Sequence, residues 1–133
     1  MNEPRPRPSA TRLAKAIVRA EPARGGDGSD AEVTSHIIAR LRQELGKLIG
    51  PAGFDILIAR SLVLARRAHP VLAGVTAVPG GTPAGLDDPA LDEVALIALV
   101  ANFIELLATL IGEDLAMGLV IDVWPAAAEE EKK

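Results

Sequence analysis

Residues 94–112, VALIALVANFIELLATLIG, decide how this chain is read. The run holds one ionisable side chain, Glu105, and one amide, Asn102, in nineteen residues. It can cross a membrane, fill the core of a soluble bundle, or form a seam between two copies. A span needs about 20 apolar residues, so the length is barely sufficient. An acid well inside a span costs roughly 2.5–3.5 kcal/mol on insertion scales. The flanks are Asp92, Glu93, Glu113 and Asp114, with no Lys or Arg to give a positive-inside signal. The expectation is therefore no membrane span.

On a helical wheel Ala95, Ala98, Asn102, Glu105 and Thr109 fall at spacings of three and four, forming one narrow small-or-polar stripe. The rest of the circumference is apolar, well beyond the roughly 100° face that an edge helix needs. A chain with three or four helices can hardly cover such an element, which points to a homo-oligomer, in the first place a dimer. Asn102, Phe103, Glu105, Leu106 and Thr109 are assigned to that seam. A buried Glu105 needs a cation, and Arg60 or Arg67 on the preceding helix is the expected partner.

Working outward from this run, the composition favours helix packing. Phe54, Phe103 and Trp124 are the complete aromatic set, so Ala, Leu, Ile and Val must build the interior of these 133 residues. No cysteine is present, which excludes disulfides and thiolate metal sites and fits a cytoplasmic setting. The N-terminus is rich in Pro and Arg and lacks the continuous apolar stretch of a secretion signal. Charge is polarised along the chain. Residues 1–26 carry six basic groups against two acids, and residues 31–68 six against three. Residues 69–131 carry eleven acids and no Lys or Arg. A basic half and an acidic half favour pairing with each other, and the acidic half opposes nucleic-acid binding.

Two further helices are well marked. Ser29-x-x-Glu32 matches a capping box, and Val33, Ile37, Ile38, Leu41, Leu45, Leu48 and Ile49 then recur at helical spacing. Gly50-Pro51-Ala52-Gly53 ends that helix, and a second one over 54–68 completes an antiparallel hairpin. Residues 69–90 contain Pro70, Pro79, Pro83 and Pro89 with interspersed glycines, which predicts a long ordered loop. Asp88-Pro89 marks the start of the next helix, and EDLAMGLVIDV after Gly112 predicts a short last one.

Residues 1–29 read as a flexible basic tail and linker, 30–125 as the bundle, and 126–133 as a frayed acidic end. Within the tail, TRLAKAIVRA sets Leu13 and Ile17 opposite Arg12, Lys15 and Arg19. Ten residues are too few for a stable isolated helix, so this segment is expected to be a disordered solubilising tail, with ordering on a partner or a membrane surface as the alternative. The fold class that follows is all-α, a small three- to four-helix bundle with a disordered basic N-terminal tail.

Catalytic constellations are sparse. His36 and His69 are the two histidines, far apart in sequence, and neither a phosphate-binding glycine loop nor a nucleophile elbow is present. No metal, cofactor or catalytic residue is assigned. The expected function is a non-enzymatic interaction or regulatory module that self-associates through the apolar helix and binds a protein partner by its tail or its 69–90 loop. Two alternatives stand beside it. One is phosphotransfer on His36, in a bundle architecture that histidine phosphotransfer domains share, although Ile37-Ile38-Ala39-Arg40 lacks their lysine and glycine. The other is a DNA-binding regulator using the basic N-terminal half.

Overall fold

The computed structural model describes residues 8–20, 30–81, 83–86 and 91–124. It is an all-α bundle: α1 (Pro8–Ala20), α2 (Asp30–Ala68), α3 (Glu93–Ile111) and α4 (Glu113–Val123), with a 3₁₀ turn at Pro70–Gly74. Ser29, the expected capping residue, the linker at 21–29 and the terminal segment at 126–133 lie outside the described residues.

Gly50 divides α2 into two arms, 30–49 and 51–68. Its φ of 81° and ψ of 159° lie outside the helical region, in a conformation that glycine adopts without the steric cost of a Cβ. Pro51 then opens the second arm at the first helical position, where a missing N–H removes nothing. The expected break is confirmed but is shorter than the four-residue GPAG segment. The fold-back is visible in one contact. Arg42 and Asp55 would leave a straight helix about 20 Å apart along the axis, yet Arg42 Nη1 sits 2.8 Å from Asp55 Oδ1.

α3 occupies the middle of the molecule and touches α1, α2 and α4. Asp92 caps it, its Oδ1 accepting from the Ala95 amide at 2.9 Å, so the helix begins later than the Asp88-Pro89 start expected from sequence. Gly112, at φ 99°, ends α3 and turns the chain directly into α4. The predicted short last helix is present, and its Trp124 end is buried.

The first correction concerns the N-terminus. Residues 8–20 are not a loose tail: α1 buries Leu13, Ala14, Ile17 and Val18 in the common core, packing chiefly on α3. A segment too short to be helical alone gains its stability from that packing.

The second follows from the first. The case for a homo-oligomer assumed that one chain cannot cover α3. With α1 in place, α3 buries Ala95–Ile97 and Leu99–Ile104 together with Leu107 and Ala108 inside its own chain. The expectation of no membrane span is also overturned. Among the described residues, Val33–Ala68 and Glu93–Ile111 are both long and apolar enough to cross a membrane by length and composition. The 33–68 stretch runs through the non-helical Gly50, and its two arms fold back on each other, so it comprises the two helices that the sequence expectation separates. In this fold most of the α3 stretch is covered by other parts of the chain, and most of the 33–68 stretch is not.

Candidate functional site

The polar interactions of the described residues concentrate where α2 meets the loop that follows it. Arg42 on the first arm donates from Nη1 to Asp55 Oδ1 at 2.8 Å and from Nη2 to the Gly81 carbonyl at 2.9 Å. Its guanidinium carbon stands 4.7 Å from the Phe54 ring centre, a cation–π distance. Asp55 in turn accepts from the Gly80 amide with both oxygens, each at 3.2 Å. The hydrogen bond from Arg42, followed by that from Gly80, holds the Asp55 carboxyl below its ordinary range. The unit is a clamp that ties both arms of α2 to the tip of the loop.

A second arginine fixes the loop's base. Arg66 donates from Nη2 to the Val75 carbonyl at 2.6 Å and more weakly from Nε to Leu72 at 3.4 Å. Between the two arginines the loop folds back on itself through one antiparallel bridge, Thr76 with Ala84. Gly85, at φ 93°, makes this possible: a Cβ there would lie 2.3 Å from the Gly74 carbonyl oxygen. Val78, Pro79 and Gly80 are left exposed at the tip. The sequence predicted an ordered loop here. The clamp is not legible in the sequence because it joins positions 25 and 39 residues apart in the chain. The available signal was the hairpin itself, which places residues on either side of Gly50 opposite each other.

A third arginine serves the other side of α2. Arg40 Nη2 donates to the Val123 carbonyl at 2.7 Å and its guanidinium lies 5.2 Å from the Trp124 ring centre. It satisfies a carbonyl at the C-terminal end of α4, which has no basic residue of its own in its last turn. Beside it is an open cleft of about 300 Å³ lined by Arg40, Glu44, Leu45, Leu119, Asp122 and Val123.

The residues assigned to a seam do not form one surface. Asn102 and Phe103 are buried, Glu105 and Leu106 half-buried, and Thr109 exposed. Asn102 Nδ2 donates to the Ala98 carbonyl at 2.8 Å and Thr109 Oγ1 to the Glu105 carbonyl at 3.0 Å, both within α3. Phe103 meets Phe54 with ring centres 5.3 Å apart, inside the chain. Arg60 and Arg67 are exposed. Of the residues expected to bind a partner through the tail, Leu13 and Ile17 are buried under α1 while Arg12, Lys15 and Arg19 are exposed. His36 is exposed on the first arm of α2. Among the described residues no group of three His, Asp or Glu side chains comes together to hold a metal ion. Ser61 Oγ is taken up by the Leu57 carbonyl at 2.7 Å. Arg40, Arg42 and Arg66 each donate to a backbone carbonyl, of Val123, Gly81 and Val75 respectively. No family model, curated protein or solved structure matches the chain.

Proposed function

We propose that this chain is a non-enzymatic helical interaction module, and that the loop over 69–86 is the surface it presents. The observation that carries this reading is the Arg42–Asp55–Gly80 clamp. Two charged side chains and a cation–π contact are committed to holding an exposed tip, Val78-Pro79-Gly80, in one place on α2. A surface loop usually retains mobility, and one pinned at tip and base is preorganised, which lowers the ordering cost of recognition.

The test places a photo-crosslinking side chain at position 78 in cells producing the protein, with position 67 on α2 as the control. The reading expects a discrete adduct at 78, absent at 67, that is lost when Arg42→Ala releases the tip while helical circular dichroism is unchanged. Equal adducts from the clamp-broken variant contradict it.

A further inference from the structure

The open cleft beside Arg40 takes no part in the loop clamp. Its walls come from the first arm of α2 (Arg40, Glu44, Leu45) and from α4 (Leu119, Asp122, Val123), and its volume is about 300 Å³. Small-molecule sites run from roughly 300 to 1,000 Å³, so an occupant here must be compact. Leu45 and Val123 are buried and Leu119 is half-buried, which gives the cleft an apolar lining. The charged groups around it are held apart rather than paired. Arg40 Nη2 is committed to the Val123 carbonyl at 2.7 Å, and the guanidinium stands 5.2 Å from the Trp124 ring centre. Turning it toward Glu44, one helical turn further on, would give up both contacts. Glu44 and Asp122 are exposed, and among the described residues neither forms a salt bridge or a side-chain hydrogen bond.

We propose that this cleft binds a free diamino acid: a compact molecule with one carboxylate, two cationic nitrogens and a methylene stem, such as L-lysine. The lining sets two acids against one base, and a ligand of the opposite balance complements it. The ligand carboxylate meets the guanidinium of Arg40, whose Nη1 and Nε have no acceptor among the described residues. The two ammonium groups meet Glu44 and Asp122, and the stem lies along Leu45 and Leu119. Other occupants fit less well. A plain cation leaves Arg40 unanswered, and an anion is repelled by both acids. A neutral apolar molecule would desolvate three charges and pair none of them. For a metal ion, no third His, Asp or Glu joins the two acids. This inference stands apart from the loop reading and uses a different surface.

Amide NMR titration of the full chain tests it, with L-lysine, L-norleucine and cadaverine as the probes. The expected result is a saturable shift of the Leu45, Leu119 and Val123 amides with L-lysine, weakened by raising salt from about 50 to 500 mM. Norleucine keeps the stem and carboxylate but lacks the second ammonium, and cadaverine keeps both cations but lacks the carboxylate. Each should bind about tenfold more weakly than lysine. Glu44→Gln with Asp122→Asn should weaken lysine binding by about tenfold or more. Both side chains are exposed, so the double variant should keep the wild-type helical circular dichroism. No saturation with lysine up to about 50 mM overturns the proposal. So does wild-type affinity in the double variant. Equal affinity for cadaverine overturns it too, by assigning the cleft to a plain cation, and equal affinity for norleucine does so by removing the second acid from the site.

Discussion

Asp55 carries the loop clamp on one carboxylate, and its protonation state therefore sets the order of the tip. Its pKa is held down by Arg42 and by the Gly80 amide. A carboxyl whose folded pKa lies below its unfolded value stabilises the fold above the unfolded value and loses that contribution as pH falls through the folded one. The Gly80 amide resonance should thus be invariant near neutral pH and move only in acid, below the ordinary carboxylate range. Asp55→Asn should abolish that titration, and a Gly80 amide that titrates identically in the variant would break the assignment. A second residue-scale prediction concerns Thr34. It is fully buried, and its Oγ1 has no hydrogen-bond partner among the described residues. A buried hydroxyl left unpaired costs about 1–3 kcal/mol, so Thr34→Val should stabilise the protein by about 1 kcal/mol in urea unfolding. A destabilised variant would mean that the hydroxyl is satisfied.

At the scale of elements, the helices depend on one another in unequal ways. The long elements were legible because their signals are local: apolar residues at helical spacing in α3, a glycine–proline break in α2, and Gly112 before α4. α1 was not legible as part of the bundle, because its own sequence is marginal and its stability lies in the contact with α3. The clamp was hidden for the related reason that hydrogen bonds across 25 or 39 residues leave no periodic trace. Two predictions belong here. Leu13→Ala, at a side chain 1% exposed, should cost about 2–5 kcal/mol in the unfolding of the whole domain. An effect near zero would make α1 an appendage. Gly85→Ala should disrupt the Thr76–Ala84 bridge, because its Cβ meets a backbone oxygen that cannot swing away. Loss of protection at the Thr76 and Ala84 amides, with the helical amides unchanged, is the expected exchange pattern. Retained protection at those two amides would refute it.

The whole molecule is organised around α3. The wheel of residues 94–112 showed correctly that this helix must be covered nearly all round, and the mistaken inference was where the cover came from. Counting only the strongly marked helices left one side open and suggested a second copy. α1 fills that side, using Leu13, Ala14, Ile17 and Val18. Arg12, Lys15 and Arg19 of the supposed tail consequently lie in one exposed stripe on the surface of the bundle. The same apolar length that makes α3 a core helix also meets the requirement for a membrane span, and the two settings differ in what surrounds it. The measurement that decides this most directly is a set of methyl nuclear Overhauser effects in detergent-free aqueous solution. The account predicts cross-peaks from the methyls of Leu13 and Ile17 to side chains of α3, with both residues shifted from random-coil positions. Random-coil shifts for these two methyl groups, with no cross-peak to α3, would contradict it.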